Sequence, residues 1–249
     1  MAMMYLLKRD VFSPVGLALM AVVWAASVAA ASLGYAFAAA ISAVNILSLL
    51  VFLLSIFVAV AGVVNDREGA VYFYLSKWGR RRYAAWRLYV NTLYGVVVGF
   101  ASTAPYYVLR PELWHIAAAA VFATALLGSQ LGTLAAFSAR GRGYAYMSAL
   151  AAWVFLALVY DLAVAFAGLF APMGDAQLFA LLVLNPFHCA VLPSLLMLDP
   201  HMLTLGAAGQ FAVRQLGLGA AALLILALYV IYTAIFAYAA YEAGRGRDI

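Results

Sequence analysis

Residues 11–65 contain no Asp, Glu, Lys or Arg. A run of 55 uncharged residues is foreign to a soluble domain, in which about a quarter of residues are charged. It has room for two bilayer crossings of about 20 residues each. The remainder of the chain agrees, with 69% of its 249 residues hydrophobic and 9% charged. The fold class is therefore all-α integral membrane, because a helix satisfies its own backbone polar groups inside hydrocarbon.

Six transmembrane helices are predicted, over 14–33, 41–64, 88–109, 114–137, 144–171 and 216–241, so that residues 1–249 form one membrane domain. Residues 1–12 mix Tyr5, Leu6 and Leu7 with Lys8, Arg9 and Asp10, a composition suited to a short interfacial helix. Ser13-Pro14 reads as a cap and first turn, and a tight turn is expected near Gly34 and Tyr35. A seventh crossing over 178–198 is opposed by Asn185-Pro186 and Pro193. These split the segment into 176–184 and 187–198, each too short to cross and each expected to re-enter the membrane or lie on it.

Basic residues fix the orientation, since Lys and Arg concentrate in cytoplasmic loops. With the N-terminus inside, 12 of the 14 basic residues fall on the inner side and only Arg110 and Arg214 outside. The seven-helix alternative gives 11 against 3. The expectation is a multi-pass cell-membrane protein with both ends in the cytoplasm. A competing reading makes the first helix a cleaved signal, since Lys8 and Arg9 precede an apolar stretch ending in Ala29-Ala30-Ala31. The net charge of +5 belongs to these loop clusters and not to a basic stripe, so nucleic acid is not an expected partner. Cys189, the single cysteine, excludes an internal disulfide and any Cys-pair zinc site.

The inner loop between the second and third crossings carries the most information. Asn65 followed by Glu68 has the spacing of a capping box, which predicts that a new helix starts there. Val71, Tyr74, Leu75 and Trp78 then give one apolar face at helical spacing, suited to a groove on a partner. Gly79 is expected to end this helix before Arg80-Arg81-Arg82. On periodicity alone, a membrane-surface helix with basic anchors explains the same pattern.

The run Asn65-Asp66-Arg67-Glu68-Gly69-Ala70, then Tyr74-Leu75-Ser76, then Arg81 and Arg82, resembles the first inner loop of ABC-2 type permeases. Those families read Glu-Arg-Glu-x-Gly-Thr, then Leu-Leu-Ser, a proline and an arginine. Here Ala70 stands for the threonine, and Trp78-Gly79 lies near the usual proline. The resemblance implies a coupling helix that plugs into a separate cytoplasmic ABC ATPase, with Asp66, Arg67, Glu68, Gly69, Tyr74, Leu75 and Trp78 as the contact. It further implies ATP and Mg²⁺ on that partner and none on this chain, a second permease copy as homodimer partner, and export of a drug, a lipid or a cargo of metalloenzyme maturation.

Asn185-Pro186-Phe187-His188-Cys189-Ala190-Val191 is similar to the Asn-Pro-x-Asp-x-x-Arg run before the last helix of NosY-like permeases, which serve maturation of the copper enzyme nitrous-oxide reductase. His188 stands for the acid and Val191 for the arginine. The resemblance implies two re-entrant helices forming a gate around Asn185, Pro186 and Pro193, and an extracytoplasmic accessory protein as a further partner. Copper(I) favours Cys and Met, with His as a versatile third ligand. The candidates are His188, Cys189, Met197, His201 and Met202, and His115 falls on the same side. Asp161 is the one acid inside a predicted crossing, a position that is costly and often functional, hence a candidate transport residue.

Gly95 with Gly99 and Gly128 with Gly132 are small-xxx-small pairs that permit close helix approach, within the chain or in a dimer seam. No phosphate-loop motif, zinc-protease motif or nucleophile elbow occurs, so the chain is expected to be a transporter subunit and not an enzyme. The competing class is a transmembrane relay, which passes ATPase strokes to an outer partner without moving a substrate.

Overall fold

The computed structural model describes residues 2–32, 37–69, 71–171 and 173–246. Among the described residues there are helices and no strands, and five helices are long and apolar enough to cross a membrane. The protein is an all-α, multi-pass membrane protein. Its helices are α1 (Ala2–Val11), α2 (Pro14–Ser32), α3 (Phe37–Gly69), α4 (Val71–Leu109) and α5 (Pro111–Ser138). There follow α6 (Arg142–Phe170), α7 (Asp175–Leu184), α8 (Pro186–Leu198), α9 (Gly206–Leu216) and α10 (Leu218–Gly246).

The five long spans are α3, the greater part of α4, α5, α6 and α10. The first expected crossing, α2, is shorter, with 19 residues or about 28 Å at 1.5 Å per residue. Its expected turn at Gly34 and Tyr35 lies outside the described residues. Two crossings run well past their expected ends, α3 to Gly69 instead of 64 and α10 to Gly246 instead of 241. Residues 206–216 form a helix of their own, which the apolar periodicity of the last crossing does not announce.

α5 forms the centre, with 72% of its most apolar window buried, against 11% for α6 and 17% for α10. Close approach of α3 to α5 is set by two glycines: a Cβ on Gly128 would stand 2.8 Å from the Phe52 carbonyl oxygen, and one on Gly132 2.3 Å from that of Ile56. Gly95 of α4 lies likewise against the Ala125 carbonyl of α5, and Gly99 against the Phe122 ring. Both small-residue pairs therefore serve packing within the chain.

Hydrogen bonds reinforce these contacts, as expected where lipid offers no alternative partner. Asn91 of α4 donates to Thr133 Oγ1 of α5 at 2.7 Å and to the Ala59 carbonyl of α3 at 3.3 Å. Ser27 of α2 donates to the Ser102 carbonyl of α4. Trp153 Nε1 of α6 reaches Leu49 of α3, and Tyr229 of α10 reaches Ala123 of α5.

α7 and α8 meet at Asn185 with a bend of 108°. Pro186 occupies the first turn of α8, where its missing N–H costs nothing. Residues 176–184 and 187–198 thus become two short helices and not a straight crossing. Their joint reaches the middle of the bundle, where Phe187 packs on Phe52 of α3 with ring centroids 5.2 Å apart.

Candidate functional site

At the end of the bundle where α3 finishes, three helices bring four charges together. Arg9 contacts Asp10 at 2.9 Å and Asp66 at 2.7 Å, while Arg87 contacts Asp10 at 2.7 Å and Asp66 at 3.4 Å. Each arginine bridges both carboxylates, so the four side chains form a closed, neutral ring linking α1, α3 and α4. Tyr83 donates to Asp66 Oδ2 at 3.1 Å. Asp66 and Arg87 have no exposed side-chain surface, and Asp10 retains 7%. Burial alone works against the charge on Arg9, but Asp66 and Asp10 and the hydrogen bonds they accept raise its pKa above the ordinary value. The interfacial helix is thereby pinned to the α3–α4 hairpin.

Gly62 makes the ring possible. A Cβ there would stand 1.4 Å from Arg87 Nη2, so the guanidinium occupies the space that any side chain would take.

Several expected contact residues therefore have a different place. Asn65 does not cap a new helix, because α3 continues through it to Gly69. The Asn65–Glu68 spacing fits an uninterrupted helix equally well, and the ion pairs of Asp66 hold the backbone helical beyond Val64. Asp66 is consumed inside the chain and has no surface to offer a partner. Arg67 donates to the Ala139 carbonyl at 3.1 Å, and Glu68 faces Arg142 at 3.4 Å, which ties this corner to the α5–α6 connection. Gly69 is exposed and a Cβ there would meet nothing within 4 Å.

Ala70 lies outside the described residues. α4 then starts at Val71 and is interrupted at Gly79, whose φ of 72° and ψ of 162° leave the helical region. Only glycine adopts such a backbone at little cost, so the short helix ends where the sequence places its end. Its apolar face is turned inward. Tyr74 is buried, stacking on Trp78 at 5.2 Å and on Tyr83 at 6.2 Å. Leu75 and Trp78 are half-buried against the core. Among the described side chains, those turned outward here are polar and basic: Glu68, Lys77, Arg80, Arg81 and Arg82.

The bent joint is a second built site. A break at this depth frees backbone groups that water cannot reach, and each must find a partner. Tyr160 of α6 donates to the Leu181 carbonyl at 2.7 Å, and Tyr232 of α10 to that of Leu184 at 3.0 Å. Cys189 directs its thiol to the Val183 carbonyl at 3.1 Å. Asn185 works in both directions: Oδ1 accepts from the Phe187 N–H at 3.0 Å, and Nδ2 donates to the Leu156 carbonyl at 2.7 Å. Leu156 belongs to a π-helical turn, Phe155–Val159, a local widening that leaves carbonyls needing a donor. Asn185→Ala is expected to lower stability by about 2 kcal/mol by stranding these groups. An unchanged melting temperature in detergent would overturn that role.

The candidate copper ligands sit in separate surroundings. His188 Nε2 is 2.7 Å from Asp161 Oδ1, Cys189 is buried on a backbone carbonyl, Met202 is buried, and Met197 and His201 are exposed. His115 is exposed near the start of α5. Among the described residues no three His, Cys, Asp or Glu side chains are grouped to hold a metal ion. Pro193 lies within α8. Comparison with protein-family models and with curated proteins finds no match.

Proposed function

We propose that the chain is the membrane-spanning permease subunit of an ABC-2 type transporter, driven by a separate ATPase that carries ATP and Mg²⁺. The observation that supports this reading best is the ring of Arg9, Asp10, Asp66 and Arg87. It sits directly behind Glu68 and Gly69, exposed residues of the run that resembles the ABC-2 inner loop. A push on Glu68, Gly69 and the basic residues 80–82 would be delivered through the ring to α1, α3 and α4 together. Their movement would open a path past the joint at Asn185, a rigid-body transition of a familiar kind. The ATPase contact in this reading is Glu68, Gly69 and the basic stretch, with Tyr74, Leu75 and Trp78 bracing the short helix from inside.

A second copy fits against α6. That helix is the least buried of the long spans, and its exposed side, apolar otherwise from residue 149 to 170, carries Asp161, half exposed and paired with His188. An ionisable pair facing lipid is costly, whereas a partner subunit or a water-lined path between copies accommodates it. α10 is nearly as exposed but carries no charge before Glu242, which suits lipid.

The test uses Gly69→Trp, at an exposed position where an added Cβ meets nothing within 4 Å. It is expected to leave folding intact while abolishing co-purification of a phosphate-loop ATPase that accompanies the unaltered protein, two permease chains per complex. If no such ATPase accompanies the unaltered protein, or the variant retains it in full, the reading fails. Vectorial, ATP-dependent flux in proteoliposomes then separates an exporter from a relay, which would hydrolyse ATP and move nothing.

A further inference from the structure

Beside the charge ring, enclosed by α1, α2, α3, α4 and α6, lies a cavity of about 480 Å³, within the range of small-molecule sites. It follows α3 from Asn65 to Leu53, about 18 Å at 1.5 Å per residue. Its deep wall is apolar, formed by Leu19, Leu53, Leu54, Phe57 and Val58. Its other end is polar, formed by Arg9, Asp10, Asn65 and Arg142, with Tyr94 reaching in from α4.

The hydrogen-bonding capacity of that polar end is lopsided. Both oxygens of Asp10 face a guanidinium, Oδ1 accepting from Arg9 and Oδ2 lying 2.7 Å from Arg87 Nη1 in an ion pair. Both oxygens of Asp66 are occupied as well, Oδ1 by Arg9 and Oδ2 by Tyr83 and Arg87. What is left over is donors. The Tyr94 hydroxyl belongs to a side chain 2% exposed and has no partner. It points toward Gly16, where a Cβ would stand 2.5 Å away. Arg87 is buried with ion pairs at Nη1 and Nε but no hydrogen bond at any of its three nitrogens, and its Nη2 stands behind Gly62, itself part of the cavity wall. Arg9 spends Nε and Nη2 on the carboxylates, which leaves Nη1. Arg142 is 64% exposed and meets Glu68 only at the long distance of 3.4 Å.

Buried donors without acceptors are expensive, and a ligand that cancels this cost must be rich in acceptors and negatively charged. An anion alone would leave the five apolar side chains uncovered. We propose that the cavity binds one anionic phospholipid, its phosphate held by Arg142, Arg9 and the Tyr94 hydroxyl and its first acyl carbons lying on Leu53, Leu54 and Phe57. A lipid seated there wedges between α1 and the long helices and completes the corner that the ring begins. This site stands whether or not an ATPase drives the chain.

Native mass spectrometry of the detergent-purified full chain tests it, with phosphatidylglycerol, phosphatidylcholine and inorganic phosphate as probes. One phosphatidylglycerol per chain is expected to resist removal, with phosphatidylcholine at least about 10-fold weaker, because its phosphate offers the same acceptors but its quaternary ammonium sets a positive charge against Arg9 and Arg142. Tyr94→Phe and Arg142→Gln are each expected to weaken phosphatidylglycerol about 5- to 10-fold, with the lipid-free melting temperature not lowered by either and raised by Tyr94→Phe, which removes an unpaired buried donor. Leu54→Trp, which fills the cavity while keeping every donor, is expected to abolish retention. Equal affinity for the two lipids, or indifference to Tyr94→Phe and Arg142→Gln together, would identify the bound lipid as ordinary boundary lipid and overturn the site. Displacement by inorganic phosphate as effectively as by phosphatidylglycerol would overturn its lipid character.

Discussion

Replacing Arg87 by methionine is expected to cost about 3–5 kcal/mol of stability, read as a fall in the melting temperature and in folded yield in detergent. The guanidinium is wholly buried and bridges Asp10 at 2.7 Å and Asp66 at 3.4 Å. Without it, two buried carboxylates share Arg9, and an uncompensated negative charge remains out of water. Lysine is not a substitute, because its single ammonium does not fork between two carboxylates as a planar guanidinium does. The double variant Asp66→Asn with Arg87→Met restores neutrality. It should be less damaging than the sum of the two single changes by more than about 1 kcal/mol, the scale of coupling for residues in one network. Strict additivity would mean that the four charges do not act as a ring. Gly62→Ala attacks the same guanidinium from behind, and it is expected to resemble Arg87→Met and not a surface glycine change.

That ring marks the limit of what the sequence discloses. A run of 55 uncharged residues, the spacing of basic clusters and the position of Asn185-Pro186 all act locally or through the solvent. The bilayer enforces them residue by residue, so the all-α membrane class and the bent joint are legible. Gly79 is legible for the same reason, because its positive φ is a property of one residue. Arg9, Asp10 and Arg87 read in sequence as loop charges of an inner surface, since a count of basic residues does not distinguish a headgroup anchor from a buried ion pair. Arg9 and Asp66 are 57 positions apart, and no periodicity links them. The Asn65–Glu68 spacing is ambiguous between a cap and a helix interior, and the tertiary ion pairs decide it for the interior. The apolar face of Tyr74, Leu75 and Trp78 is expected from its spacing to enter a groove on a partner, and it packs on this chain's own core instead. The glycine pairs are legible as points of close approach, while which helix approaches is not.

At one of those points the expected effect is again large. Gly132→Leu is expected to prevent stable folding, and Gly132→Ala to cost about 1–3 kcal/mol, the range for overpacking a close contact. A Cβ at this position stands 2.3 Å from the Ile56 carbonyl oxygen and 2.9 Å from the Ile56 Cα. These are backbone atoms in the middle of a long helix, so no rotamer change relieves the clash and α3 must move away from α5. That movement has a definite route. One turn along, Gly128 holds the Phe52 carbonyl at the same kind of distance, and the Phe52 ring carries Phe187 at the bent joint. Separation of α3 from α5 therefore loosens the α7–α8 joint as well as the bundle centre. Gly168 on the exposed side of α6 provides the comparison, since a Cβ there meets nothing within 4 Å. Gly168→Ala should be neutral or stabilising by up to about 1 kcal/mol, from helix propensity alone. Opposite signs for the two alanine variants in thermal unfolding would establish that closeness of α3 and α5, and not glycine as such, is what position 132 requires; a neutral Gly132→Ala would refute it.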